Sequence, residues 1–311
     1  MASPGIVVQD VRRSFGPVTA VKGATLQADF GRITGLVGPN GAGKTTLLLM
    51  LASLLAPDAG EIRIDGVDPL EDPQAARGAL GWMPDALGAW GSLTPREIVR
   101  VTGRLYGMPA PAAASRTANL LDRVGLNDLA DRPARVLSRG QKQRLGLARA
   151  LVHDPRVLLL DEPASGLDPQ ARVDLRLLLR ELAAEGRCIL ISSHVLNELE
   201  EVVDDAVFMV AGATMAADDV ALAQRRSRPW RMRVAGLDAA QARTRTAEAL
   251  ALDANAVTTD RRDILLAFES ETEAVTALRA LIDAGLPVAE FAAATGDLEH
   301  TFLGAANGGA R

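Results

Sequence analysis

At 311 residues the chain has room for one large domain and a small one, and 48% hydrophobic residues supply ample core. A net charge of −5 without a long basic run speaks against nucleic acid as the main partner. The single cysteine, Cys188, excludes an intrachain disulfide and fits a reducing compartment.

The first residues show no charged stretch followed by an apolar one, so no signal peptide is expected. No apolar run approaches the ~18 residues that span a bilayer, so any spans would come from another chain. Residues 6–11 read as a strand and residues 12–17 as a turn that exposes Phe15. Residues 25–30 alternate with period two, like a strand with one wet face. Residues 33–37 read as a short buried strand. Directly after it stand Gly38, Pro39, Asn40, Gly41, Ala42, Gly43, Lys44, Thr45 and Thr46, which fit the phosphate-binding pattern G-x-x-x-x-G-K-[ST]. Residues 46–55 follow as a helix with Leu47, Leu48, Leu51 and Leu54 on its apolar side. Strand, glycine loop and helix in that order turn backbone N–H groups toward an anion, and the helix dipole adds to the attraction. Lys44 would reach the β- and γ-phosphates and Thr45 would hold Mg²⁺. Only three lysines, Lys22, Lys44 and Lys142, occur among the 34 basic residues. A compact ammonium suits a crowded phosphate nest where a planar guanidinium does not.

Residues 61–66 alternate again and end in an Asp-Gly turn. Residues 80–85 form a short strand that stops at Pro84, and a loop follows over 86–93. Trp82 and Trp90 flank Asp85 and serve either the core or a partner-facing patch. Thr94, Pro95 and Glu97 read as a capping box. From there to about 137 the pattern is helical, broken at 107–109 and near 132–133, as an inserted subdomain would be. Ser138 and Gln141 form a second capping-box pattern. Residues 157–160 are a continuous apolar run, as in a buried parallel strand, and end at Asp161 and Glu162. Asp168 and Pro169 start the next helix. Residues 188–191 are a second buried strand, ending at Ser192, Ser193 and His194; a helix to 203 and a strand over 206–210 follow. His153 and His300 are expected at the surface or at helix ends, and residues 307–311 as a loose tail.

Asp161 and Glu162 stand where open α/β sheets gather chemistry, at the carboxyl end of a strand. Asp161 would hold Mg²⁺ through water. Glu162 would orient and deprotonate an attacking water.

Five elements in fixed order resemble the nucleotide-binding subunits of ABC transporters, over roughly residues 5–220. Residues 38–46 are similar to the Walker A motif, and 157–162 to Walker B with the catalytic glutamate. Leu137, Ser138, Arg139, Gly140 and Gln141 resemble the LSGGQ signature. Ser165, Gly166, Leu167 and Asp168 resemble the D-loop, and His194 the switch histidine. The ending at 298–303 is similar to a group of bacterial members that pair with separate permeases, several of them exporters.

The resemblance implies that two copies sandwich two ATP molecules head to tail. The P-loop of one copy would face Ser138, Arg139 and Gly140 of the other, His194 would sense the γ-phosphate, and Asp168 would link the two sites. Three positions depart from the family. Arg139 replaces the commonest glycine. Asp85 stands at the Q-loop position, usually glutamine, and is a further candidate for Mg²⁺. Phe15 takes the adenine-stacking place of a tyrosine, where any π-face suffices.

The expected fold is α/β: a P-loop NTPase of ABC type over 1–223, with an antiparallel β subdomain and an inserted helical subdomain at about 86–137. A linker over 224–229 leads to a small α+β domain over 230–311, with strands at 230–234, 264–268 and 286–291 and helices at 239–252 and 272–284. The expected function is the ATP-hydrolysing subunit of an ABC transporter, binding ATP and Mg²⁺ on the cytoplasmic membrane face. It would act as a homodimer, or paired with a second ATP-binding subunit, and drive a separate transmembrane permease, with export expected. The alternative is a soluble ABC-type ATPase acting on nucleic acid or ribosomes. Chromosome-type members carry long heptad arms, which are missing between residues 47 and 156, and ribosome-acting members usually carry two cassettes.

Overall fold

The computed structural model describes residues 4–302 apart from 87, 89, 90, 217, 219, 222–226, 254, 255, 297 and 299. The chain divides into two compact units, Met1–Met215 and Ala216–Arg311.

The first unit is built on a nine-stranded sheet in the order β4-β1-β2-β9-β8-β3-β7-β6-β5. One side of it is antiparallel: β1 (Pro4–Phe15) pairs with β2 (Val18–Asp29) and with β4 (Ala59–Ile64). Their alternating apolar residues, Ile6, Val8, Val21, Leu26 and Ile62 among them, turn to a common core. The sequence placed a turn at 12–17, but β1 runs on to Phe15, which pairs with Val18. Asp58 holds the strand end by accepting from Ser14 N and Arg13 Nη1. Only Gly16 and Pro17 turn.

The other side is parallel, with β8 (Asp205–Val210), β3 (Ile33–Val37), β7 (Cys188–Ser193), β6 (Val157–Asp161) and β5 (Leu80–Met83) in register. Every residue of β3, β6 and β7 is buried, which is why residues 157–160 and 188–191 read as apolar runs; in β3 Thr34 is buried as well. Short β9 (Ala213–Thr214) joins the two sides. Cys188 lies in this core, its thiol donating to Ala28 O at 3.4 Å, and burial pushes its pKa up to about 12. It is an inert core group.

α1 (Lys44–Leu51) packs Leu47, Leu48, Met50 and Leu51 under the sheet. Each fully buried leucine contributes about 2 kcal/mol. The helix ends before Leu54, since Ser53 takes φ +56°; Leu54, expected on the apolar side, is 57% exposed. α2 (Pro73–Ala79), unforeseen in the sequence, is capped by Asp72. Trp82 packs against the core; Trp90 lies outside the described residues.

The helical insertion holds α3 (Pro95–Leu105), α4 (Ala110–Arg123) and α5 (Arg139–Ala150). Both capping boxes form: Thr94 with Glu97, and Ser138 with Gln141. α6 (Pro169–Ala184) and α7 (Leu196–Glu200) complete the unit. Of the two placements expected for His153, surface or helix end, it takes the second, half-buried just after α5. Its ring stacks on Tyr106 at 3.7 Å and Nε2 lies 3.0 Å from Leu80 O, so Nε2–H donates. Burial lowers its pKa.

The second unit has its own core. β10 (Arg228–Val234), α8 (Ala239–Leu250), β11 (Thr258–Asp260), β12 (Asp263–Phe268), α9 (Glu271–Asp283) and β13 (Val288–Ala293) follow in β-α-β-β-α-β sequence. The antiparallel order β11-β12-β10-β13 is the ferredoxin-like arrangement. One face buries Met232, Ile264, Leu266 and Phe268 with Ala242, Ala274 and Leu281. Elsewhere on these strands Arg231 and Arg233 pair with Asp263 and Glu290. Arg228 and Pro229, assigned to the linker, belong to β10; residues 224–226 and the 307–311 tail lie outside the described residues.

Candidate nucleotide site

The carboxyl end of β6 and the loop after β3 meet at one cavity of about 530 Å³. Its lining includes Asn40, Gly41, Gly43, Lys44, Thr45 and Thr46 on one side and Asp85, Asp161 and Glu162 on the other. The loop after β3 tolerates no side chain where it passes its neighbours. A Cβ on Gly38 would stand 2.2 Å from Met209 O, and one on Gly43, at φ +100°, 2.5 Å from Ala20 O. Lys44 Nζ donates to Gly38 O at 2.7 Å and Pro39 O at 3.2 Å, folded against its own loop. Burial lowers its pKa, opposed by the charges of Glu162 and Asp161.

Asp161 ends β6 and is buried. Thr45 Oγ1 donates to its Oδ2 at 3.0 Å and Ser192 Oγ to its Oδ1 at 2.5 Å. A hydroxyl and a carboxylate at that distance are hard oxygen donors, a set that fits Mg²⁺ completed by water and phosphate oxygens. Glu162 adopts φ +50°, uncommon for a residue with a side chain, and its N–H lies 3.2 Å from Ser192 O and 3.1 Å from Ser192 Oγ. Its carboxylate accepts from His194 Nδ1 at 2.9 Å. Two adjacent carboxylates therefore leave the strand in different directions, one to Thr45 and one to His194.

Of the remaining candidates only Asp85 lines the cavity among the described residues. Among the described residues, Ser138, Arg139, Gly140, Gln141 and Asp168 are outside this lining. Ser138 caps α5, accepting from Gln141 N at 3.2 Å, and Asp168 caps α6, accepting from Ala171 N at 2.9 Å. Arg139 donates to Ser165 Oγ at 2.7 Å and stands 3.6 Å from Asp85 Oδ1, with its side chain still largely exposed. Asp85 lines the cavity, but its carboxylate is shared with Arg139, and its carbonyl accepts from Gln143 Nε2 at 3.3 Å. Phe15 is 48% exposed at the hairpin tip, with the Arg13 guanidinium 4.9 Å from its ring centre; Val18, its cross-strand partner, lines the cavity.

Two lining or bracing residues were missed from the sequence. Ser192 bridges the Asp161 carboxylate and the Glu162 backbone N–H; its only signal was a hydroxyl closing an apolar strand. Lys22 lines the cavity, and its signal was the rarity of lysine in this chain.

A phosphate loop on α1, a buried carboxylate facing its threonine, and a glutamate–histidine pair beside them define a P-loop nucleotide hydrolase. The sequence matches the ABC transporter family over residues 21–165. It is 38% identical to the Nod factor export ATP-binding protein I of Ralstonia nicotianae over 69% of this chain and 67% of that protein. It is 33% identical to the daunorubicin resistance ATP-binding protein DrrA3 of Streptomyces coeruleorubidus over 97% and 96%. Among solved structures, the ATP-binding subunit of an ABC transporter superposes with a TM-score of 0.63 at 28% identity, covering 69% of this chain and 91% of that one. The chain belongs to the ABC transporter family as an ATP-binding subunit, which hydrolyses ATP to drive transport and works with a separate transmembrane component.

Proposed function

We propose that this subunit powers export, pairing with a second copy or a second ATP-binding subunit around two ATP molecules on the cytoplasmic face of the membrane. The observation that carries this reading is the meeting of Lys44, Thr45, Asp161 and Glu162 at one cavity. Relatives named for Nod factor export and daunorubicin resistance support export, the second across both units of the chain. No helix among the described residues is long and apolar enough to cross a membrane, so the spans are the permease's. Val101, Leu105 and Tyr106, exposed on and just after α3, supply an apolar surface for it. These relatives are transporter subunits, which favours a permease over a nucleic-acid or ribosomal partner.

In this reading the loop from Gly38 to Thr46 binds the phosphates. Lys44 leaves the Gly38 and Pro39 carbonyls for the β- and γ-phosphates, and Phe15 stacks on adenine. Thr45 and Asp161 hold Mg²⁺, which neutralises charge on the phosphates when bound. Asp85 reaches the cavity, and in the ATP-free chain its carboxylate faces Arg139. Glu162 accepts the proton of the attacking water, and the His194 N–H keeps its carboxylate aimed. Ser138, Arg139, Gly140 and Gln141 complete the partner's site, and Asp168 couples the two.

The test is ATP-driven dimerisation of Glu162→Gln, alongside hydrolysis by the unmutated chain. The variant should dimerise with ATP and Mg²⁺ but not without them, with turnover at least tenfold lower, about 1.4 kcal/mol of barrier. Unchanged turnover would remove Glu162 from the mechanism.

A further inference from the structure

Arg139 is the first residue of α5, yet its side chain points back into its own chain. It donates to Ser165 Oγ at 2.7 Å and stands 3.6 Å from Asp85 Oδ1. Its stem crosses Gly166, where a Cβ would meet Arg139 Cδ at 2.5 Å, so the glycine leaves a groove for it. Both anchors belong to the nucleotide site. Asp85 lines the cavity that holds Lys44 and Glu162, and Ser165 N donates to Glu162 O at 3.0 Å. One guanidinium thus joins the cavity's rim to the loop that follows Glu162.

The seat is weak. The side chains of Arg139 and Asp85 are 60% and 50% exposed, and an exposed pair of this kind contributes little in water. A triphosphate offers more charge and paired oxygens matched to a planar fork, so it outcompetes one half-exposed carboxylate.

We propose that Arg139 is an exchangeable nucleotide-binding residue: Ser165 and Asp85 hold it in the ATP-free chain, and in the ATP-bound pair it transfers to the phosphates bound by the partner copy. This rests on the paired reading above. Arg139 and Asp85 form one ion pair, yet their removal has opposite effects. Removing Asp85 or Ser165 frees the arginine; removing Arg139 takes away a phosphate contact.

The experiment uses the full chain in the Glu162→Gln background. It reads by sedimentation the ATP concentration at which half the protein is dimeric with Mg²⁺ present. Asp85→Asn and Ser165→Ala should each lower that concentration, by about threefold. Ser165→Ala makes the point without touching a carboxylate. Arg139→Gly should raise it, by roughly tenfold, and Arg139→Lys by less. Arg139→Gly with Asp85→Asn should match Arg139→Gly alone, since no arginine remains to release. Thermal unfolding of each ATP-free variant separates these shifts from lost fold, and Arg139→Lys serves if the glycine variant unfolds. Shifts in the same direction for Arg139→Gly and Asp85→Asn would overturn the exchange and leave a plain structural clamp. A Glu162→Gln parent that stays monomeric at saturating ATP would overturn the paired reading, and the exchange with it.

Discussion

One hydroxyl at Ser192 braces the Asp161 carboxylate and the Glu162 backbone. It donates to Asp161 Oδ1 at 2.5 Å and lies 3.1 Å from the Glu162 N–H, which is itself held at φ +50°. Ser192 is fully buried, so water cannot take its place. Ser192→Ala should cost about 1–3 kcal/mol, because a buried carboxylate loses a donor and keeps only Thr45. Denaturant unfolding reads that loss. Hydrolysis should also fall, since Glu162 loses a restraint; a variant with unchanged stability and turnover would leave the bridge without consequence. Lys44, Thr45, Asp161 and Glu162 were legible from sequence because local chemistry selects them: a glycine loop before a helix, and two acids ending an apolar strand. Ser192 was not, because its role comes from the parallel register that sets Asp161 beside it.

At the scale of elements, the helical insertion is pinned by an aromatic stack between the chain just after α3 and just after α5. Tyr106 and His153 lie 3° from parallel with ring centres 3.7 Å apart. Burial lowers the pKa of His153, as does Arg116, while its bond to Leu80 O and the charge of Asp154 raise it; burial is the largest effect. The unfolded chain therefore takes up this proton first as the pH falls through about 6.5. Stability from His153 is full above that value and is lost on the way down to the lowered folded value. His153→Phe keeps the stack and removes the titration. Its unfolding free energy should fall less between pH 7 and 5 than that of the unmutated chain, although it starts lower for lack of the bond to Leu80 O. Equal pH slopes would show that other groups carry the dependence. A lone histidine after a helix reads as a surface or helix-end residue, and only the fold brings Tyr106, 47 positions earlier, against it.

At the scale of the molecule, each unit has a separate core, and every residue lining the nucleotide cavity precedes Met215. A chain ending at Met215 should therefore fold in one cooperative transition and bind ATP as the full chain does. Equilibrium binding and thermal unfolding check both; a truncated chain that aggregates or loses ATP would tie the second unit to the first unit's stability.

The sequence alone determined the architecture of the first unit and the nucleotide chemistry. Strand type follows burial, and burial leaves a pattern: two-faced alternation in β2 and β4, apolar runs in β6 and β7. Caps at Thr94, Ser138 and Asp168 were legible for the same reason, since each acts within four residues of itself. Tertiary structure decided what depends on contacts between distant segments. The hairpin runs to Phe15 because Asp58 closes its end. Arg139 finds Ser165 and Asp85, which stand 26 positions after it and 54 before it. The second unit takes its ferredoxin-like order because β10 pairs with both β12 and β13. Hydrophobic pattern and turn chemistry are local and survive in one dimension; an ion pair's partner, a carboxylate's brace and a sheet's strand order depend on distances that exist only once the chain has closed on itself.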